Sequence, residues 1–296
     1  MNFFQCEICY NNKYTKVTSL GYQFKNEFVA RCKKCKLIQL ANSEIKNNLN
    51  YYKSGQFNSE IRGFEQIDEK QIKLRVDRAE QRILLLKKKF NNLRKNILEI
   101  GCGFGPLINI LYKKFNSNVS GVEPSKNFAN FGNNFYNTDF IFSGDYQDYN
   151  NYKKQDIILI YQVIEHITDY ETFFARLKKN IHSDTTIVVE FPDIFQSLKN
   201  RKYLSPNGYF QKSHLYDYDP YTLSLLFKKY GYDAIEYIPS KQKSPNDKNS
   251  TFLFKQSKNK NNFMKKYKKF RASSIKIFFK VTLLHFLFKM KKKIFN

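Results

Sequence analysis

Ile97-Leu-Glu-Ile-Gly101-Cys-Gly103-Phe-Gly105 has the pattern of a short apolar strand that runs into a glycine-rich turn, and Pro106–Phe115 continues it as a helix. Glycines in such a turn let the backbone approach a ligand and point amide groups at it. A dinucleotide-binding turn needs a further glycine at the position that Pro106 occupies. The turn therefore predicts a nucleoside site in preference to a pyrophosphate site.

Strand and helix patterns alternate on the carboxyl side of this turn, which predicts parallel strands joined by crossover helices. Asp219-Pro220 is a typical start of a later helix, and Gly231 ends it. The last two strands are separated by a polar loop, which predicts an antiparallel hairpin at the sheet edge. The predicted strands are 97–101, 119–123, 140–142, 157–161, 186–191, 234–238 and 251–255, and one of the predicted helices is 170–181. The fold class is α/β, with a doubly wound, Rossmann-like sheet.

Chemically useful side chains follow several of these strands. Glu123 ends the second strand, where a carboxylate can accept both hydroxyls of a ribose. Asp145 and Tyr146 follow the third strand and offer a carboxylate and a ring to an adenine. The fourth strand leads into Tyr161-Gln162-Val-Ile-Glu165-His166.

With these motifs in this order, the chain resembles the class I S-adenosylmethionine-dependent methyltransferases over about residues 1–256. The resemblance implies a seven-stranded sheet with the last strand antiparallel, and S-adenosylmethionine as cofactor. It also implies that the cofactor-binding residues are Glu99, Gly101, Gly103, Gly105, Glu123, Asp145, Tyr146 and Gln162. A subgroup of the family joins an N-terminal four-Cys zinc module to this domain and carries a segment like His214-Leu215-Tyr216.

The resemblance also frames the catalytic residues. A hydroxyl or enolisable carbon acceptor needs a general base, and His166 and His214 are the candidates, with Glu165 beside His166. The alternative is that orientation alone suffices and both histidines are structural. Some quinone-pathway relatives hold a divalent cation with Glu, Glu and His at this strand end. This chain has Gln162 at the first of these positions, so no second metal is predicted.

Four cysteines form two Cys-x2-Cys pairs that are 22 residues apart, which matches the spacing of a structural zinc ribbon. The apolar residues of this segment are too few to fold it alone, and metal binding would supply the missing free energy. The alternative is four unrelated buried or redox-active thiols. The predicted zinc ligands are Cys6, Cys9, Cys32 and Cys35.

The chain divides into four predicted regions: a zinc-ribbon-like module at 1–40, a helical connector or lid at 41–95, the methyltransferase domain at 96–256, and a basic, aromatic-rich tail at 257–296. The connector has an amphipathic stripe from Val76 to Phe90. It also contains Tyr51-Tyr52 and Phe57, which either pack or cover a pocket.

The net charge of +25 is concentrated toward the C-terminal end, in the tail and the residues just before it, because residues 241–296 contain 17 Lys and Arg against one acidic residue, Asp247. The tail favours an anionic membrane surface over RNA, with docking on the body or on a second subunit as the third possibility. The chain has no apolar run of about 20 residues and no signal-peptide pattern at Met1–Cys6. The expected location is the cytoplasm, with peripheral attachment at the inner face of the membrane.

Three functions remain open. The first is methyl transfer to a small molecule or glycan, above all a sugar in surface polysaccharide biosynthesis, as the zinc-module subgroup suggests. The second is RNA methylation, although the fourth strand lacks the Asn/Asp-Pro-Pro-aromatic segment of base amino-methylating enzymes. The third is a non-catalytic adaptor that binds zinc and a nucleoside. Acceptor-selecting residues are expected after the fourth and fifth strands, including Phe191-Pro192-Asp193 and the segment 195–218.

Overall fold

A computed structural model of the chain describes residues 4–18, 28–41, 67–199, 214–240 and 249–257. Its strands are β1 (Tyr14–Thr18), β2 (Phe28–Cys32), β3 (Ile38–Ala41), β4 (Asn96–Ile100), β5 (Asn118–Glu123), β6 (Ile141–Ser143), β7 (Gln155–Tyr161), β8 (Ile181–Pro192), β9 (Tyr216–Asp217), β10 (Tyr232–Ile238) and β11 (Asn249–Gln256). Its helices are α1 (Glu69–Lys89), α2 (Pro106–Phe115), α3 (Lys126–Tyr136), α4 (Tyr170–Lys179), α5 (Ile194–Lys199) and α6 (Pro220–Lys229).

Seven strands form one mixed sheet in the order β10-β11-β8-β7-β4-β5-β6. β4 pairs in parallel with both β5 and β7, and β10 pairs with β11 in an antiparallel hairpin. The chain therefore moves outward from β4 first to one side and then to the other. This confirms the predicted seven-stranded, doubly wound sheet, and it places a topological switch point between β4 and β7.

The central strands are apolar along their length because both faces of a parallel sheet are covered by helices. Ile97 and Leu98 of β4 and Ile157 to Ile160 of β7 are fully buried. α1 covers one face together with α2. It begins where the Asp68 carboxylate accepts a hydrogen bond from the Gln71 amide at 2.7 Å, and it buries the predicted apolar stripe through Ala79, Ile83 and Leu86.

The Cα positions group into two compact units. One comprises Met1–Asn47 with Glu190–Asn296 and is called the cysteine unit, and the other comprises Asn48–Val189 and is called the pocket unit. Within the cysteine unit, β1, β2, β3 and β9 form a four-stranded antiparallel sheet. β9 is the segment that follows His214, and the Leu215 carbonyl accepts a hydrogen bond from the Leu40 amide at 2.8 Å. The His-Leu-Tyr segment thus completes the sheet of the N-terminal module.

Several predicted features lie outside the described residues. They are Tyr51, Tyr52 and Phe57 in the connector, and the tail from residue 258 onward. Among the helices that the structure describes, none is both long enough and apolar enough to span a membrane.

Candidate active site

A pocket opens in the pocket unit at the carboxyl ends of β4, β5 and β7, beside the switch point, with α1 along one side. Most of the residues predicted to bind the cofactor line it, together with one predicted catalytic residue: Glu99, Gly101, Gly103, Glu123, Asp145, Tyr146, Gln162 and His166. Gly105 and Glu165 are not among the lining residues. Gly105 instead caps the start of α2 with φ of 77°.

The glycine turn after β4 is closely packed. Gly101 has φ of +73°, and a Cβ atom there would lie 2.3 Å from Cγ2 of Val163. The Gly101 and Cys102 amides both donate to the Val122 carbonyl, at 2.8 and 3.1 Å. Any side chain at Gly101 would therefore strain the backbone and displace Val163.

The Glu123 carboxylate ties this turn to β5. One oxygen accepts from the Gly103 amide at 2.8 Å and the other accepts from the Ser125 amide at 3.0 Å. A carboxylate has about four lone-pair sites, so an oxygen that accepts one amide is also chemically able to accept a hydroxyl. Because Glu123 already holds the Gly103 amide, that amide is not available to a phosphate. This supports the interpretation of the turn as a nucleoside site.

Two further groups of the turn are buried beside Glu123. Glu99 has 3% of its surface exposed and lines the pocket. Burial, with Glu99 and Glu123 nearby, raises the pKa of the Cys102 thiol well above its usual value. Cys102 is therefore a neutral thiol at pH 7 and not a nucleophile.

Asp145 and Tyr146 follow β6. Asp145 accepts a hydrogen bond from the Gln147 amide at 2.8 Å and starts a single helical turn. The Tyr146 hydroxyl donates to Oδ1 of Asn180 at 3.0 Å, and its ring lies 5.5 Å from the ring of Phe173. The Tyr146 ring is thus held rigidly at the pocket wall, with its polar end directed away into the core.

Sequence reasoning missed three arginines on α1. Arg75, Arg78 and Arg82 all line the pocket. The Arg75 guanidinium lies 5.0 Å from the centre of the Phe128 ring, and that of Arg82 lies 4.3 Å from the centre of the Tyr161 ring. Their spacing of three and four residues on the helix directly before the first strand was a signal for one common face.

The segment after β7 combines an unusual backbone with two ionisable side chains. Gln162 has φ of +59°, which is uncommon for a residue with a side chain, and such strain concentrates at functional sites. Its buried Nε2 lines the pocket and has no hydrogen-bond partner among the described residues. His166 lies in the pocket wall, and its Nε2 is 3.9 Å from Oε1 of Glu165, whose side chain is 1% exposed. Glu165 is thus a buried carboxylate that lies beside the His166 ring.

Two other residues from the sequence analysis lie in the cysteine unit. His214 directly precedes Leu215 and β9. Its role as a base stays a prediction. Asp193 was expected to face an acceptor, but this expectation is wrong because the residue is fully buried. Its carboxylate accepts from the Tyr237 hydroxyl at 2.5 Å, the Ser250 hydroxyl at 2.8 Å and the Phe195 amide at 2.8 Å. Asp193 therefore anchors the end of β8 and the start of α5.

The four predicted zinc ligands come together in the cysteine unit. Their sulfur atoms all lie within 4.8 Å of one another, with 3.3 Å between Cys6 and Cys35 and 3.5 Å between Cys9 and Cys32. A tetrahedral zinc site with Zn–S bonds of about 2.3 Å has sulfur atoms about 3.8 Å apart. The spacing and the donor type both fit zinc.

The two cysteine turns repeat the same backbone geometry. The amides of Tyr10 and Lys36 donate to the carbonyls of Cys6 and Cys32, at 2.8 and 3.2 Å, and both residues have positive φ, at 56° and 75°. The Lys34 amide also donates to the Cys32 sulfur at 3.3 Å, as amides do to a metal-bound thiolate. Two similar knuckles thus present two sulfur atoms each.

The thiols also perturb one another. Hydrogen bonds from Cys35 and Cys6 lower the pKa of the Cys32 thiol. The same contact between Cys35 and Cys32 raises the pKa of the Cys35 thiol. Four thiolates this close repel one another, and a divalent cation removes that repulsion. The donor set therefore suits a closed structural site with no open position for water.

Comparisons with known proteins agree with this geometry. A family model described as a methyltransferase domain matches residues 69–237. The (S)-tetrahydroprotoberberine N-methyltransferase of Eschscholzia californica is 30% identical over 103 residues, which is 32% of this chain. That match spans only 29% of the relative's length.

Two solved structures share the fold. The first is the 1,6-didemethyltoxoflavin-N1-methyltransferase of Burkholderia thailandensis with bound 1,6-didemethyltoxoflavin and S-adenosylhomocysteine, which is 11% identical and has a TM-score of 0.53. The match covers 80% of this chain and 98% of that chain. The second is the magnesium protoporphyrin IX methyltransferase of Synechocystis PCC 6803 with bound S-adenosylhomocysteine, which is 16% identical and has a TM-score of 0.50. That match covers 70% of this chain and 97% of the other.

Proposed function

We propose that this chain, which belongs to the methyltransferase-domain family and contains an S-adenosylmethionine-dependent methyltransferase domain, methylates a small-molecule or glycan acceptor. The observation that carries the proposal is the pocket at the switch point, where the carboxylate of Glu123, at the end of β5, holds the glycine turn and lines the pocket. The relatives from Eschscholzia californica and Burkholderia thailandensis are named as methyltransferases of small molecules, which supports this acceptor class.

The pocket residues divide the work of binding. S-adenosylmethionine, when bound, supplies a methyl group that its sulfonium already activates. Glu123 would accept the ribose hydroxyls, and Asp145 with the wall formed by Tyr146 would hold the adenine. Glu99 and Gln162 would bind the amino-acid end, with Gly101 and Gly103 leaving room for it. The chain's remaining task is to hold an acceptor in line and exclude water.

His166 is the first candidate for a general base, because its side chain lines the pocket and an imidazole is a group that can accept a proton under physiological conditions. Glu165, with its carboxylate oxygen 3.9 Å from Nε2 of His166, would orient the ring and stabilise its protonated form. His214 is the second candidate. An acceptor that loses its proton readily would need neither residue.

The arginines of α1 support an acceptor with an acidic group. Arg75 and Arg82 are two helical turns apart, or about 10 Å along the axis, so they serve different groups. The single carboxylate of the cofactor can pair closely with one of them. Guanidinium groups pair with carboxylates and phosphates, so three arginines in one pocket wall support such a group on the acceptor. A uronic acid or a sugar linked to a nucleoside diphosphate has such a group, which agrees with a sugar in surface polysaccharide biosynthesis.

The test is to incubate the purified protein and methyl-labelled S-adenosylmethionine with a cell extract separated into nucleotide-sugar, lipid-linked and RNA fractions. Label in a nuclease-resistant sugar or lipid fraction is expected. Label that ribonuclease removes would show an RNA methyltransferase instead. Binding of S-adenosylhomocysteine without transfer to any fraction would favour the non-catalytic adaptor.

The metal, the region boundaries and the tail complete the proposal. We assign structural zinc to Cys6, Cys9, Cys32 and Cys35, and we keep the functional regions at 1–40, 41–95, 96–256 and 257–296. We also propose that the protein is cytoplasmic and that its tail attaches it to an anionic membrane surface. Equal flotation of the full chain and residues 1–256 with anionic liposomes would contradict that role.

A further inference from the structure

The edge of the pocket unit that lies opposite the pocket carries a dense set of positive charges. Eleven Lys and Arg residues occur there in five short runs: Lys87–Lys89, Arg94-Lys95, Lys113-Lys114, Lys153-Lys154 and Lys178-Lys179. Nine of the eleven are exposed. The described carboxylates at this edge are Asp139, Asp156 and Asp184, with Glu80 beside Lys114 at 3.8 Å. We call the five runs the lysine face.

The topology brings these runs together. β4, β5 and β7 are parallel, so their amino ends share one edge of the sheet, and the crossover helices end at that same edge. Hydrogen bonds join neighbouring segments. The Asn118 amide donates to the Lys95 carbonyl at 2.9 Å, and the Asn96 amide donates to the Asp156 carboxylate at 2.8 Å. Asn180 Nδ2 donates to the Lys153 carbonyl at 3.2 Å.

Helix chemistry explains only part of this charge. Cations in the last turn of a helix favourably oppose its dipole, which accounts for Lys87–Lys89, Lys113-Lys114 and Lys178-Lys179. Arg94-Lys95 and Lys153-Lys154 precede strands, however, where no such dipole acts. The helix ends therefore leave four cations of this edge unexplained.

The shape of the lysine face is a plateau. The chain adds strands first on one side of β4 and then on the other, and its crossover connections are right-handed. These two features place α2 and α4 on opposite faces of the sheet. The charged helix ends therefore flank the sheet edge on both sides, across the four strands β5, β4, β7 and β8, or about 14 Å. Tyr112 and Tyr152 lie within the face with 46% and 38% of their surfaces exposed. Single-stranded nucleic acids are usually bound in a basic groove. A broad, flat surface of lysines with exposed tyrosines is better suited to lipid headgroups.

We propose that the lysine face docks the pocket unit onto an anionic membrane surface. This attachment is separate from any role of the tail. Because the pocket lies at the other end of strands five to seven residues long, it would open about 20 Å above the headgroups. An acceptor would then reach the pocket from the aqueous side, or as a head group that projects from the membrane.

The experiment compares two triple variants of the full chain, so that the tail is present in both. The test variant is Lys113→Gln with Lys153→Gln and Lys178→Gln, all exposed on the lysine face. The matched control is Lys70→Gln with Lys73→Gln and Lys126→Gln, which are equally exposed but lie toward the pocket side of the sheet. Sedimentation is measured with phosphatidylcholine vesicles, with and without phosphatidylglycerol, at low and high salt.

The test variant should bind the phosphatidylglycerol vesicles more weakly than wild type by about tenfold or more, because each lysine near an anionic surface contributes substantially. The control variant should lose at most about half as much binding free energy as the test variant. High salt should remove the difference in vesicle binding between the two variants. Equal losses in both triples would overturn the proposal, as would wild-type binding that does not depend on phosphatidylglycerol. A loss confined to binding of a poly-uridine oligonucleotide would also overturn it and identify nucleic acid as the partner.

Discussion

The two units of the chain place their ionisable groups in opposite settings. In the pocket unit, Glu99, Glu123 and Asp145 line an open pocket. In the cysteine unit, the four thiols and the carboxylates of Asp193 and Asp219 are turned toward partners within the same unit. The same chemical groups therefore serve binding in one unit and cohesion in the other. Substitutions should change ligand affinity in the first and folding stability in the second.

The largest expected effect is the loss of the metal. Cys32→Ser should reduce bound zinc from about one equivalent to almost none and unfold the N-terminal module, because structural zinc supplies about 10 kcal/mol or more of folding free energy. Atomic emission and circular dichroism measure both outcomes. Cys102→Ala is the matched control and should keep its zinc. A Cys32→Ser protein with full zinc content and unchanged stability would contradict the zinc site and support the alternative that the four thiols are unrelated.

Next in size is the loss of the ribose acceptor. Glu123→Ala should weaken S-adenosylhomocysteine binding about 100-fold, or about 3 kcal/mol, because two charge-assisted hydrogen bonds and the anchor of the Gly103 amide are lost together. Calorimetric titration measures the change. Glu123→Gln keeps the shape and should show an intermediate loss. Unchanged affinity in both variants would remove Glu123 from the binding site.

A smaller effect is expected for the proposed base. His166→Ala should lower kcat about 100-fold while leaving S-adenosylhomocysteine affinity unchanged, since a positioned general base typically contributes at least that much. Glu165→Gln should lower kcat less and shift the pH profile, which a purely structural role would not do. Full turnover in His166→Ala would leave His214, or orientation alone, to account for catalysis.

The smallest expected effect concerns pH and the cysteine unit. Burial raises the pKa of Asp193 and of Asp219 to about 6 in each case. Since the unfolded carboxyls titrate near pH 4, the folded state binds more protons between about pH 4 and 6. The two carboxyls therefore make their largest contribution to the free energy of unfolding below about pH 4, and this contribution is lost as the pH rises through about 6. Asp193→Asn should reduce this pH-dependent loss by about 2 kcal/mol, measured by denaturant unfolding across that range.

Denaturation curves of wild type and Asp193→Asn with the same pH dependence would contradict this account. Zinc release at low pH is common to both proteins, so it does not obscure their difference. Asn at position 193 still accepts a hydrogen bond from the Phe195 amide, and the hydroxyls of Tyr237 and Ser250 can reorient. The variant should therefore fold.

Local patterns predicted the pocket unit well. The strand, glycine turn and helix from Ile97 to Phe115 are adjacent in sequence, and the helix has the predicted bounds. Neighbouring strands then bring Glu123 to the same turn. The arginines of α1 were missed because an exposed basic stripe is typical of any surface helix, and only the packing of α1 shows that it faces a pocket.

The cysteine unit was less predictable from sequence. The spacing of its thiols indicated a metal site, but the fourth strand of its sheet, β9, follows β3 by about 175 residues of chain. The same distance problem hid the role of Asp193, whose partners Tyr237 and Ser250 are 44 and 57 residues away. Acidic residues after a strand are usually exposed or functional, so burial could not be inferred from position alone.

The amino-acid sequence by itself determined the alternation of strands and helices, the glycine turn, the order of the acidic residues and the paired cysteines, because these depend on periodicity and short-range spacing. Only the tertiary structure decided which groups face the pocket, which are buried and partnered, and which cations share one edge. Those properties arise from contacts between distant segments, where the net burial of each side chain is set by packing that no local pattern specifies.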